Sequence, residues 1–179
     1  MKHEENDATG AAGLRHADEM TDRHTFLVFG LDGEEYAISV DRVEEVIEYE
    51  IPTPVPRSPA YLLGIINVRG RLVPILDLRR RFGLPPAEAT VNSRFIVLDL
   101  HWDKESLSLG VLTDSVQGVV DIPQDAMGPP PKIGRAASEA FLQGTARVQD
   151  RILMVMEVDQ ILTPALVHEG FVELSSQRR

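Results

Sequence analysis

The stretch LLGIINVRGRLVPILDL, residues 62–78, occurs twice in this chain. Its echo, LQGTARVQDRILMVMEV at 142–158, aligns without a gap. Leu62, Gly64, Val68 and Arg71 meet Leu142, Gly144, Val148 and Arg151; the apolar run Leu72, Val73, Ile75, Leu76 meets Ile152, Leu153, Val155, Met156. Two earlier pairs match in the same order: FLVFGL from Phe26 with FIVLDL from Phe95, and YAISVDRV from Tyr36 with LGVLTDSV from Leu109. Three matches in one order make the chain a duplicated β unit. The copies part company at the tip between the doubled strands. The first carries Asn67-Val68-Arg69-Gly70 and the second Arg147-Val148-Gln149-Asp150.

Around this stretch the chain reads as short strands with Gly and Pro punctuation. In the stretch itself, residues 64–68 and 71–76 form a hairpin around Arg69-Gly70, where Gly70 can take the positive φ of a tight turn. Pro74 has no amide to donate and is expected at an edge or a bulge. Asp77 can cap a short helix over 78–82, closed by Gly83. Upstream, the runs 26–29 and 36–40 flank Asp32-Gly33, a hairpin signal. Val43, Val46 and Ile47 fit a helical turn or a further strand, which Pro52, Pro54, Pro56 and Pro59 would end. Downstream, strands are expected at 95–100, 107–112, 116–122, 144–148 and 152–158. A loop over 123–134 holds three consecutive prolines, a short helix starts near Ser138, and a helical turn covers 159–162. Strands this short build small barrels. The expected fold is therefore all-β: two packed five-stranded barrels from an internal duplication, with short helices. Residues 25–90 would form the first unit and 91–164 the second, between an acidic flexible tail (1–24) and a C-terminal extension (165–179).

Composition limits the function. The net charge of −10 opposes nucleic-acid binding, which needs cations against phosphates, and aromatics for base stacking reach only 6%. The cluster Arg69, Arg71, Arg79, Arg80, Arg81 is the one basic patch an RNA- or single-strand-binding barrel could use, and that is the alternative reading. No cysteine is present, which removes disulfides and thiolate sites and fits a reducing compartment. No apolar h-region or membrane-length run occurs. His3, His16 and His24 in the tail have no compact metal spacing. Outside the tail only His101 and His168 remain, and no serine elbow, zinc-protease or phosphate-loop motif is found. Asp41, Asp77, Asp99, Asp114 and Asp121 sit at turns and strand ends, where turn formation explains them. No cofactor, metal or catalytic residue is expected. A duplicated small barrel with one distinctive hairpin reads as an interaction module.

The residues also carry a resemblance. The run from Phe26 through RRRFGL resembles the first half of a CheW domain, and GIINVRGRLVPILDL matches the family pattern G-x-x-N-x-R-G-x-x-x-P-x-x-D-L. The likeness covers about residues 25–164, more loosely in the second half. It implies two SH3-like barrels, no catalysis, and an adaptor between the cytoplasmic tips of chemoreceptors and a CheA-type histidine kinase. The kinase's regulatory domain is itself CheW-like, so barrel-to-barrel pairing and rings are implied, with the protein cytoplasmic and recruited to membrane arrays. Carried over by position, Arg69, Glu45, Asn67, Val43 and Val68 would serve receptor binding, with Arg69 and Glu45 as a pair. Gly64, Ile65, Met127 and Ile133 would face the kinase. Against these roles, Val43 and Val68 recur as Val116 and Val148, which favours core packing, and Gly64 recurs as Gly144, which favours backbone geometry.

Overall fold

The computed structural model describes residues 23–132 and 140–161, and in them eleven strands and one short helix. Strands β1 (Arg23–Leu31) and β2 (Glu34–Ser39) form a hairpin whose turn residues Asp32 and Gly33 have φ of 53° and 79°. Two positive φ values mark the turn type whose twist suits paired strands. Because β1 begins at Arg23, the last two residues of the expected tail belong to the sheet; its remainder lies outside the described residues, as do His168 and the C-terminal extension. A 3-10 turn at Val40–Arg42 leads into β3 (Val43–Glu48), so Val43, Val46 and Ile47 lie on a strand. Their β-branches suit the pleated surface better than a helix. Next come β4 (Leu62–Val68), β5 (Arg71–Asp77) and α1 (Leu78–Phe82). Asp77 caps α1 by accepting the amides of Arg79 and Arg80, and Gly83 closes it at φ 68°.

The second half supplies β6 (Arg94–Trp102), β7 (Glu105–Thr113), β8 (Ser115–Pro123), β9 (Met127–Gly128), β10 (Leu142–Val148) and β11 (Arg151–Met156), then a 3-10 turn at Val158–Ile161. The short β9 lies inside the stretch expected to be loop. Of the helix expected over 138–142, residues 138 and 139 lie outside the described residues; Ala140 and Phe141 form a turn and Leu142 already opens β10, so no helix forms among the described residues there. Pro74 was expected at an edge or a bulge, yet it is buried in β5 between two neighbours. It pairs with Ile65, whose own amide and carbonyl serve Thr53, and the ladder to β7 starts only at Ile75. No neighbour asks Pro74 for a donor.

The strands form two curled sheets in the orders β8-β1-β2-β11-β10-β9 and β3-β6-β7-β5-β4. Replacing each strand by its duplicate turns one order into the other, with the two-residue β9 as the sixth strand. The equivalence extends to register. Val155 faces Ala37 across one parallel pair and Ile75 faces Gly110 across the other. Bulges recur as well: opposite Val28/Phe29 and between Val43/Glu45, and between Leu142/Gly144 and Leu62/Gly64.

The barrels do not follow the division at residue 90, however. Hairpin β1–β2 of the first half completes the sheet of β8, β10 and β11; hairpin β6–β7 of the second completes that of β3, β4 and β5. The duplication is real but exchanged. The exchange runs through the short links after β2 and β7, where a single 3-10 turn and the one residue Asp114 carry the chain onward into the other sheet instead of back along the strand it leaves.

Alternating side chains then serve two cores each. Phe26, Val28, Ala37, Ala146, Leu153 and Val155 fill one barrel. Their equivalents Phe95, Val97, Ile66, Val73 and Ile75 fill the other. The intervening positions, among them Leu27, Phe29, Leu31, Ile96, Leu98, Leu100, Leu109 and Met156, meet in a larger cluster shared by the two sheets. Ion pairs lock its corners with opposite polarity. Arg79 grips Asp114 through two bonds of 3.0 and 2.7 Å and reaches Asp32 at 2.9 Å. At the equivalent corner Asp159, the duplicate of Arg79, receives both terminal nitrogens of Arg42. No helix among the described residues is long and apolar enough to cross a membrane.

Candidate functional site

The hairpin that distinguishes the first copy projects from β4 and β5. Val68 pairs with Arg71, leaving the two-residue turn Arg69-Gly70 with φ of 53° and 84°. A left-handed φ is uncomplicated for Gly70 but destabilises a non-glycine residue by about 1–2 kcal/mol. Asn67 offsets part of this, since its Oδ1 accepts the Gly70 amide at 2.8 Å and closes the turn from outside. The turn therefore holds an arginine where a flexible or glycine residue would be easier to place.

Arg69 is 80% exposed, with its Nη2 3.3 Å from Oε2 of Glu45, whose side chain is only 20% exposed. Glu45 follows a bulge in β3, and β3 and β4 are opposite ends of their sheet. Curling of the sheet brings these ends together, so residues far apart in strand order form one feature. A surface pair of this kind contributes about 0.2–1 kcal/mol. Beside it, Arg71 donates to Glu44 at 2.6 Å and to the Ser108 hydroxyl at 2.8 Å. The bond to Glu44, together with the charges of Glu44 and Glu45, raises the Arg71 pKa against an opposing effect of burial.

The other expected site residues scatter. Val68 is 5% exposed inside the barrel, and Val43 is half-buried against the shared core. Neither is an open apolar contact, because each belongs to the packing its duplicate also makes. Gly64 is buried at φ 143°, and a Cβ there would lie 2.2 Å from the Thr53 carbonyl oxygen. Gly144 repeats this against Gly128 at 2.4 Å. Ile65 is half-buried beside Thr53, the edge of the five-stranded sheet. Met127 sits on β9 at the edge of the other sheet. Ile133 lies outside the described residues.

The basic cluster behind the nucleic-acid alternative is engaged within the protein. Arg69 and Arg71 have Glu45 and Glu44; Arg79 has Asp114 and Asp32. Arg80 bonds Asp77 and the Ala60 carbonyl, while Arg81 stacks on Tyr61 and Phe141 at 5.4 and 4.8 Å. Among the described residues, His101 is exposed and its backbone amide donates to Asp159. In the sequence Arg71 is a position that Arg151 repeats, and Glu44 is one of several neighbouring glutamates, with Glu45, Glu48 and Glu50. The one available signal was that Glu44 becomes Gln117 in the duplicate while the arginine persists.

A family model described as the CheW-like domain matches residues 25–165. The chain is 30% identical over 135 residues to the chemotaxis protein CheW of Rhizobium meliloti, covering 75% of this chain and 84% of that protein. It is 32% identical over 117 residues to the protein FrzA of Myxococcus xanthus, covering 65% and 71%. Among solved structures, the scaffolding protein TtCheW from Thermoanaerobacter tengcongensis aligns with a TM-score of 0.68 at 28% identity, over 77% of this chain and 91% of that one.

Proposed function

Because the chain belongs to the CheW-like domain family and so shares its role as a chemotaxis scaffold, we propose that it couples chemoreceptor tips to a CheA-type histidine kinase without catalysis of its own. The receptor-facing element is the 67–70 hairpin with Glu45. The observation that carries this reading is the Arg69–Glu45 pair: a guanidinium left 80% exposed 3.3 Å from Glu45, at a tip where the second copy keeps the left-handed backbone (Gln149, φ 54°) but has neither residue of the pair. An exposed ion pair that contributes little to stability, on a turn whose backbone its duplicate forms without it, is a candidate for function.

Kinase contacts are assigned to the two barrel edges. Ile65 lies beside Thr53 at the end of one sheet, and Met127 lies on β9 at the equivalent end of the other. Edges are surfaces on which a second barrel can dock, and two of them per molecule permit bivalent or ring-like assembly. Gly64 shapes its edge through the backbone. The protein works at the cytoplasmic face of receptor arrays, where many weak contacts add up through avidity.

Co-sedimentation with chemoreceptor-bearing membranes tests the reading. Arg69→Glu abolishes it while the melting temperature stays within about 3 °C, since an exposed ion pair contributes at most about 1 kcal/mol. Normal co-sedimentation of this variant rejects the receptor role of the hairpin. Separately, Ile65→Glu weakens capture by an isolated kinase regulatory domain while Arg69→Glu does not.

A further inference from the structure

Glu44 is the bulged residue of β3: Val43 pairs with Leu98 and Glu45 with Val97, and no residue of β6 faces Glu44. A bulge re-aims side chains. Here it turns the Glu44 carboxylate across the barrel mouth. Oε2 accepts from Arg71 at 2.6 Å, Oε1 accepts from the Ser108 hydroxyl at 2.6 Å, and the hydroxyl accepts from Arg71 at 2.8 Å. This closed ring ties β3, β5 and β7, and β3 is not a ladder neighbour of β5. It shares its backbone with the exposed pair, since Glu45 follows Glu44 and Arg69 stands two residues before Arg71.

The other barrel supplies an internal comparison. Arg151 bonds Glu35 at 2.7 Å and Gln117 at 3.5 Å. Glu35 occupies the position of Ser108 and Gln117 that of Glu44. That barrel folds with its carboxylate on the hairpin strand, and its counterparts of Glu45 and Arg69 are Gly118 and Gln149, which form no such pair. The carboxylate stands on the bulge only where an exposed ion pair stands next to it.

We propose that Arg71, Glu44 and Ser108 are positioning residues that draw β3 toward β5 and so set the Glu45–Arg69 pair for receptor contact. The receptor part rests on the function proposed above. The test separates positioning from mere support by moving the carboxylate. In Glu44→Gln, the NMR signal of the Arg69 side-chain Nε–Hε moves toward that of Glu45→Gln, and retention on chemoreceptor-bearing membranes falls roughly three- to tenfold. The double variant Glu44→Gln/Ser108→Glu, which copies the other barrel, regains the melting temperature but neither the Arg69 signal nor the retention. Arg71→Gln repeats the Glu44→Gln signal change if the double variant fails to fold. An Arg69 signal unchanged in Glu44→Gln and Arg71→Gln overturns the proposal, as does joint recovery of stability and the Arg69 signal in the double variant. Unimpaired retention of Arg69→Glu overturns the receptor reading alone, and the Arg69 signal still decides the positioning.

Discussion

One pair of core positions distinguishes an exchanged duplication from two self-contained halves. Across the parallel ladders, Gly110 faces Ile75 in one barrel and Ala37 faces Val155 in the other. Glycine with isoleucine and alanine with valine carry the same number of side-chain carbons, so each pair fills its space in a different way. A Cβ added at Gly110 would lie 2.3 Å from Ile75 Cδ1, and Ile75 is fully buried. Gly110→Ala therefore overpacks the barrel by about 1–3 kcal/mol, offset by about 0.4–1 kcal/mol from a stiffer unfolded chain. Ile75→Val removes that methyl and costs about 0.5–1.5 kcal/mol alone. Together the two changes reproduce the Ala37–Val155 pair, and the added methyl enters the space the lost one leaves. The double variant should be more stable than the sum of the singles predicts, by about 1 kcal/mol or more. For a chain of this length that corresponds to a melting temperature roughly 2–4 °C above the additive value. Urea unfolding of the four proteins reads the coupling. If each half formed its own barrel, Gly110 would face Val155 and Ile75 would face Ala37, and the effects would add within about 0.5 kcal/mol. Additivity refutes the exchanged pairing.

Stability should also fall in acid through the corner ion pairs. Burial pushes the carboxyls of Asp114 and Asp159 up, but bonds from Arg79 and the Asp32 amide to the first, and from Arg42 and the His101 amide to the second, outweigh it and leave both below their usual value. A carboxyl depressed in the folded state binds its proton more readily when unfolded, so its contribution is present above about pH 4 and lost as pH falls through the folded value. Asp114→Asn should lose stability near neutral pH, with the gap to the unmodified protein narrowing toward pH 2 in urea titrations; a gap independent of pH contradicts this. Gly64→Ala should lower the melting temperature by more than about 4 °C, because its Cβ meets backbone rather than a movable side chain and because φ 143° disfavours any side chain. A change of a degree or less would mean the Thr53 segment yields freely. Asp77→Ala removes the cap of α1 and its bond to Arg80, for a loss of about 0.5–2 kcal/mol in chemical denaturation; a neutral result would show that α1 holds by packing alone.

Local features were legible because their causes are local. The Asp32-Gly33 and Arg69-Gly70 turns, the Asp77 cap and the Gly83 stop each follow from one or two residues. The difference in residues between the 67–70 tip and its duplicate was legible too, since the second copy provides a built-in comparison. The burial of Val68 and the backbone role of Gly64 were signalled by the same comparison, through Val148 and Gly144. The Arg71–Glu44–Ser108 ring was not, because it joins three strands whose closeness depends on how the sheet curls.

The sequence by itself determined that this chain is a doubled set of short strands with one unmatched hairpin, and the family motif within that hairpin is linear and complete. Tertiary structure alone decided which copy's hairpin pairs with which copy's strands. Equivalent strands offer equivalent edges, so own and exchanged pairings satisfy the same alternation of apolar residues. The choice falls to the short links after β2 and β7 and to fits such as Gly110 with Ile75, which bring together residues distant in the chain. The same closure sets Glu45 against Arg69 and so places the candidate site at the meeting of two sheet ends.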